Sequence, residues 1–96
     1  MSANVKDLFN LSGKTAVITG GAGLLGGKHA EAIAEYGGMP VLLDIDEKLA
    51  QEKAKRIESE YPAGCIALHC DITKKALLES ARDLLVRKYG RIDILI

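Results

Sequence analysis

Closely spaced glycines near the start of the chain are the first residues whose types and spacing could do chemistry. They lie in residues 15–26, TAVITGGAGLLG, where Gly21, Gly23 and Gly26 follow the spacing G-x-G-x-x-G. A glycine turn between a strand and a helix exposes the unpaired N–H groups of the first helical turn. The helix dipole adds about half a positive charge at the same point. The stretch therefore predicts a binding site for a phosphate group.

Two aspartates further along the chain extend this prediction to a nucleotide. Asp44 ends the next predicted strand, where a carboxylate can accept hydrogen bonds from both hydroxyls of an adenosine ribose and would repel a 2′-phosphate. Asp71 ends the third predicted strand, near the expected adenine edge. No Lys or Arg lies in the turn or directly after Asp44, and Lys48 is the nearest. These residues favour NAD over NADP.

Each of these features also has a purely structural interpretation. Either aspartate could cap a helix, and the glycines could form an ordinary tight turn. The spacing of all three features together favours the nucleotide site.

The elements that must position these residues follow from the apolar pattern. Strands predicted at 15–19, 39–43, 65–69 and 92–96 alternate with three helices, predicted at 24–36, at 47–61 and up to residue 89. Asp46 and Thr73 are the predicted N-caps of the second and third helices. Such alternation predicts the α/β fold class, a Rossmann-type doubly wound parallel sheet with strand order 3-2-1-4.

The expected helix packing leaves one face of this sheet under-covered. Small and apolar residues in the second helix share one face, and those in the third share another; they are Ala50, Ala54, Ile57 and Tyr61, and Leu77, Ala81, Leu84 and Leu85. The first two helices would cover one side of the sheet and the third only part of the other. The fourth strand would be an apolar edge. We therefore expect these 96 residues to be part of a longer chain, with the remainder of the fold missing.

Composition limits the other classes of function. Net charge is +0 with 48% hydrophobic and 27% charged residues, which is typical of a soluble globular domain. No basic surplus is available for a nucleic acid or an anionic membrane, and no run has the roughly 18 apolar residues of a membrane span. Cys65 and Cys70 would lie on opposite faces of one strand, too far apart for a disulfide, and they are too few for a zinc site. A cytoplasmic location and no metal are expected.

These motifs together resemble the N-terminal part of a short-chain dehydrogenase/reductase, over about residues 8–96. The matching pieces are GKTAVITG at 13–20, the acidic end of the second strand, CDIT at 70–73 and GRIDILI at 90–96. The resemblance implies a leader, residues 1–12, followed by a partial NAD-binding domain, residues 13–96. It also implies a dimer or tetramer for the full-length chain.

The resemblance assigns a role to each part of the site. The turn would wrap the pyrophosphate, Asp44 would hold the ribose, and Asp71 with Ile72 would flank the adenine. The implied cofactor-binding set is Gly20, Gly23, Leu24, Leu25, Gly26, Asp44, Ile45, Cys70, Asp71 and Ile72. The family's catalytic Ser and Tyr-x-x-x-Lys pair do not occur in residues 1–96. They are expected beyond Ile96, so these residues alone should be inactive.

The resemblance implies an NAD(H)-dependent oxidoreductase that interconverts an alcohol and a ketone on a small-molecule substrate, with a sugar or sugar acid suggested by the N-terminal residues. Leu24 stands where the common turn T-G-x-x-x-G-x-G has a glycine. The turn matches T-G-x-x-G-x-x-G instead, as in extended-branch sugar-nucleotide epimerases and dehydratases, which form a second candidate class. A methyltransferase is a third candidate, and a non-catalytic nucleotide-binding module is a fourth.

Overall fold

A four-stranded parallel sheet with three helices forms the architecture of the computed structural model, which describes residues 10–96. The elements in chain order are β1 (Thr15–Thr19), α1 (Leu24–Glu35), β2 (Met39–Asp44), α2 (Glu47–Glu60), β3 (Ile66–His69), α3 (Lys75–Tyr89) and β4 (Ile94–Leu95). The strand order is β3-β2-β1-β4, and every pairing is parallel. The predicted fold class and strand order are confirmed.

The sheet separates two apolar clusters. Successive residues of a strand point to opposite faces, so β1 sends Ile18 to one cluster and Val17 to the other. Alanines of α1 and α2 pack against the Ile18 side together with Leu42, and small side chains let these helices lie close to the sheet. The predicted buried face of α2 is confirmed, since Ala50, Ala54 and Ile57 are buried and Tyr61 packs beside them.

The other face of the sheet is only partly covered, as predicted. Among the residues of α3, only Ala81 and Leu85 are buried, whereas Leu77 and Leu84, predicted on the same stripe, are exposed. An apolar cavity of about 430 Å³ opens between α3 and the sheet, with Val17, Leu78, Leu85 and Leu95 in its lining. One helix is too narrow to cover this face.

The start of α3 differs from the prediction. Its N-cap is Lys74, which makes no side-chain capping bond, so the prediction that Thr73 caps this helix is wrong. The Thr73 amide and hydroxyl instead donate to Asp71 Oδ1, at 3.0 and 2.6 Å. These two bonds hold Thr73 in a local turn, so its side chain does not cap α3. In α2 the predicted cap is confirmed, because Asp46 Oδ1 accepts from the Leu49 amide at 3.1 Å.

The last strand is shorter than the predicted 92–96 but is well attached to β1. The Asp93 amide donates to the Thr15 carbonyl, and the Asp93 carboxylate accepts from the Thr15 amide, both at 2.9 Å. Arg91 pairs with the same carboxylate. The hydrogen bond from Arg91, followed by that from Thr15, holds the pKa of Asp93 below its ordinary value.

The two cysteines lie on opposite faces of the sheet, as predicted, and both are free and buried. Burial raises the pKa of the Cys65 thiol to about 12, with a smaller effect from Glu58. Of the predicted leader, residues 1–9 lie outside the described residues, while the Leu11 amide donates to the Tyr36 carbonyl at 2.8 Å. Within residues 10–96, no helix combines the length and the apolar character needed to cross a bilayer.

Candidate cofactor site

The glycine turn after β1 is shaped by close contacts that exclude side chains. Gly20 has φ +66°, a conformation that strongly favours glycine. A Cβ on Gly21 would lie 2.7 Å from the Leu42 Cβ of β2, and a Cβ on Gly26 would lie 2.4 Å from the Gly20 carbonyl oxygen. The start of α1 is therefore pressed directly against the turn, as a compact phosphate loop requires.

The first turn of α1 directs backbone N–H groups away from the helix. Gly23 is the N-cap and has no side chain to accept them, and its carbonyl receives the Gly27 amide at 2.9 Å. The amides of Leu24, Leu25 and Gly26 precede that bond and have no partner within the helix. These three amides are the donors a phosphate could use.

Leucine fits at position 24 without strain. Its side chain is 79% exposed, and no non-glycine residue in 10–96 has a positive φ. The absence of the common glycine thus leaves the backbone of this turn in an ordinary conformation.

The Asp44 carboxylate is fixed between the glycine turn and the loop after β2. Its Oδ2 accepts from the Ala22 amide and its Oδ1 from the Asp46 amide, each at 2.9 Å. A carboxylate oxygen has two lone pairs, so each oxygen keeps one for a ligand hydroxyl. The side chain is half-buried and still reachable from the edge of the sheet.

The segment after β3 adds an acidic group and apolar side chains at the same edge. The hydrogen bond from the Thr73 hydroxyl, with a second from the Thr73 amide, lowers the pKa of Asp71, so this carboxylate is ionised at neutral pH. Ile45 after β2 and Ile72 after β3 are both exposed. Such side chains could contact the faces of a planar base.

Cys70 contributes to this edge through its backbone. Its amide donates to the Asp44 carbonyl at 3.0 Å, whereas its side chain is buried in the Val17 cluster. Any contact between Cys70 and a ligand would therefore come from the main chain.

Of the ten sequence-predicted site residues, Asp44 ends β2 and the other nine follow the carboxyl ends of β1, β2 and β3. These ends meet at one edge because the strands are parallel. In open α/β sheets, ligands bind outside this edge, where the strand order reverses.

Sequence reasoning missed Lys53 of α2. Its Nζ donates to the Gly23 carbonyl at 3.3 Å, whereas Lys48, which the sequence placed nearest, is exposed. α2 packs beside α1, so a residue distant in sequence from the turn reaches it. The available signal was spacing, because Lys53 lies three residues after Ala50 and four before Ile57, both on the buried face.

Residues 14–96 match the model of the short chain dehydrogenase family. Together with the parallel sheet and the glycine turn, this match shows that the chain belongs to the short-chain dehydrogenase family.

Three relatives of this chain are named as dehydrogenases or reductases. It is 34% identical over 85 residues to short-chain dehydrogenase reductase 3b of Arabidopsis thaliana, covering 88% of this chain and 32% of that protein. The NADPH-dependent 3-quinuclidinone reductase of Rhodotorula rubra superposes with a TM-score of 0.88 at 29% identity, covering 99% of this chain and 36% of that one. An NAD⁺-bound xylitol dehydrogenase superposes with a TM-score of 0.83 at 27% identity, covering 88% and 32% respectively.

These relatives are longer than this chain, and they differ in nicotinamide cofactor. The chain spans about a third of the length of each of these proteins. One solved relative is NADPH-dependent and another contains NAD⁺, so the family uses both nicotinamide cofactors.

Proposed function

We propose that this chain is the cofactor-binding part of an NAD-dependent oxidoreductase that interconverts an alcohol and a ketone. The observation that carries the proposal is the Asp44 carboxylate, held at the end of β2 by the amides of Ala22 and Asp46. A fixed negative charge there accepts bonds from the two ribose hydroxyls of NAD and repels the 2′-phosphate of NADP. Family membership supports the oxidoreductase chemistry.

Each part of the edge has a task in this proposal. The amides of Leu24, Leu25 and Gly26 hold the pyrophosphate, and Gly20 and Gly23 let the chain approach it closely. Asp44 holds the ribose. Asp71 receives the adenine amino group, and the adenine ring lies among Ile45, Ile72 and the Cys70 backbone. Bound NAD supplies the hydride acceptor, which these residues only position.

The catalytic Ser, Tyr and Lys are proposed to follow Ile96, so residues 1–96 bind cofactor without turning over substrate. A sugar or sugar acid is the proposed substrate class, and one solved relative is named for xylitol, a related polyol. The proposed location is the cytoplasm, since two buried free thiols suit a reducing compartment. The full-length chain is proposed to form a homo-oligomer.

Ligand titration tests the cofactor assignment. NAD, NADP and S-adenosylmethionine are titrated by calorimetry against the wild type, Asp44→Asn and the matched control Asp46→Asn. Asparagine at 46 keeps the N-cap and removes an exposed charge of the same sign from the same loop. We expect NAD to bind more tightly than NADP, and S-adenosylmethionine not to bind.

Asp44→Asn should weaken NAD binding by at least about tenfold, since a charge-assisted hydrogen bond is worth about 1.5–3 kcal/mol. Asp44→Asn should also reduce the ratio of NAD affinity to NADP affinity. Asp46→Asn should change neither the NAD affinity nor this ratio. Tighter binding of NADP than NAD by the wild type would refute the role of Asp44.

A sugar-nucleotide epimerase or dehydratase is the second candidate, and the packing of the turn favours it. A Cβ on Gly23 or on Gly26 would lie 3.3 or 2.4 Å from the Gly20 carbonyl oxygen, whereas position 24 is open to solvent. Of the two positions at which the spacings differ, 23 is packed and 24 is open, as the T-G-x-x-G-x-x-G spacing predicts. The two activities differ in NADH accumulation, because an oxidoreductase releases NADH and an epimerase regenerates NAD in each cycle.

A further inference from the structure

A lysine on α2 reaches the peptide at the very start of α1. The Lys53 Nζ lies 3.3 Å from the carbonyl oxygen of Gly23, the N-cap. That carbonyl and the Leu24 N–H belong to one planar peptide group. We propose that Lys53 is a positioning residue for the cofactor pyrophosphate and acts through this peptide; the inference rests on the proposed NAD site.

The Lys53 ammonium polarises the peptide group that joins Gly23 and Leu24. A cation at the Gly23 oxygen withdraws electron density from the peptide and strengthens the Leu24 N–H as a donor, as chains of hydrogen bonds polarise one another. The ammonium also adds positive charge where the dipole of α1 is already positive. Both effects favour an anion in front of the amides of Leu24 and Leu25.

Lys53 stands in an unfavourable place unless such an anion is bound. A cation beside the first turn of a helix opposes the helix dipole. Within residues 10–96 no carboxylate forms an ion pair with Lys53, whereas Arg56 on the same helix pairs with Glu31. Lys53 is half-buried as a residue, but its bond to the Gly23 carbonyl is exposed, so salt should screen its charge. A pyrophosphate in front of the Leu24 amide would supply a counter-charge.

Gly27 provides the space that the lysine occupies. A Cβ at position 27 would lie 3.3 Å from the Lys53 Nζ and 3.9 Å from its Cδ, the only contacts it would make within 4 Å outside its own helix and chain neighbours. The contact therefore depends on both helices, since α2 supplies the ammonium and α1 leaves a gap for it.

Four ligands and three variants test this role. NAD, NADP, ADP-ribose and adenosine are titrated at low salt and at 0.5 M salt against the wild type, Lys53→Gln, Lys53→Arg and Lys48→Gln. Lys48 is an exposed lysine of the same helix, so Lys48→Gln is a matched change in net charge. Thermal unfolding of each variant establishes that it is folded.

The expected results distinguish an electrostatic role of Lys53 from a purely structural one. Lys53→Gln should weaken NAD, NADP and ADP-ribose about threefold to tenfold at low salt and less at high salt, because screening removes the attraction. Adenosine lacks phosphate, so its binding should not change. Lys53→Arg should retain most of the affinity, and Lys48→Gln should match the wild type.

Three outcomes would overturn the inference. An equal loss of adenosine binding would mean that Lys53 only braces α1 against α2. A loss confined to NADP would assign the lysine to the 2′-phosphate. Unchanged NAD binding by Lys53→Gln, in a protein whose wild type binds NAD, would remove its role and leave the proposed function intact. If the wild type binds no NAD, the proposed function itself fails.

Discussion

Gly26 and Gly27 are neighbours in α1 with opposite surroundings. A Cβ on Gly26 would meet the Gly20 carbonyl oxygen at 2.4 Å and the Gly21 Cα at 2.9 Å, both backbone atoms of the turn. A Cβ on Gly27 would meet only the flexible end of Lys53. The same substitution at the two positions therefore probes the turn and the helix separately.

We expect Gly26→Ala to destabilise the protein by about 1–3 kcal/mol, because the turn must open to admit the methyl group. Gly27→Ala should stabilise it by up to about 1 kcal/mol, because alanine is the better helix former and the lysine tip can move. Urea unfolding followed by circular dichroism measures both. Equal stability of the two variants would contradict this account of the turn.

Single residues differ in how far sequence alone could assign them. Asp44 could be assigned from the sequence because it ends a strongly apolar strand. The carboxyl ends of parallel strands lie at the same edge of a sheet, so its place in the fold was known. The bond from Ala22 to its carboxylate was not identifiable, because it depends on how the turn folds over β2. Lys53 was missed for a related reason, since its contact needs two helices to be packed side by side.

At the scale of elements, the Asp93 carboxylate adds a side-chain hydrogen bond to the backbone pairing of β4 with β1. Asp93 accepts from the Thr15 amide and pairs with Arg91, and these interactions lower its pKa. A lowered folded-state pKa gives stability that is present above the unfolded value of about 3.9 and is lost as the pH falls through the folded value.

Asp93→Asn should therefore unfold at a lower urea concentration than the wild type at pH 7. The difference should shrink as the pH falls below about 3.9 and disappear once the pH is below the lowered folded-state pKa, where the wild-type carboxylate is also protonated. Asp83→Asn is the control, since among residues 10–96 Asp83 pairs only with its exposed neighbour Arg82. A constant difference between Asp93→Asn and the wild type from pH 7 to pH 2 would exclude the charge as the cause.

The predicted elements were accurate where the apolar pattern was long and weaker at their ends. α1 ends one residue before its predicted end, close to the glycines at 37 and 38, and α2 also ends one residue early, just before Tyr61 and Pro62. α3 begins at Lys75 because Asp71 binds Thr73 in a local turn, a competition that residue types alone do not decide.

At the scale of the whole molecule, the two faces of the sheet differ in how completely they are covered. Two helices cover one face, while beneath α3 the other retains an apolar cavity of about 430 Å³. Leu78 and Leu85 lie two turns apart on α3 and both line this cavity, but Leu78 is 39% exposed and Leu85 is 1% exposed. Only the second belongs to the folded core.

We expect Leu85→Ala to destabilise the protein by about 2–5 kcal/mol, as buried leucines do when truncated. Leu78→Gln should change stability by less than about 1 kcal/mol while reducing the binding of the apolar dye ANS to the native protein. Dye fluorescence and urea unfolding check the pair. If Leu78→Gln left dye binding unchanged, the dye would bind away from the cavity under α3.

The double attachment of Asp44 has a consequence for the thermodynamics and rate of binding. Immobilising a side chain at an interface costs about 0.5–1.5 kcal/mol in lost rotational entropy. The amides of Ala22 and Asp46 hold this carboxylate in the folded protein before any ligand binds. Its rotational entropy is therefore lost on folding and not on binding. A ligand that meets Asp44 therefore finds an acceptor already in place, and its association need not wait for the side chain to rotate.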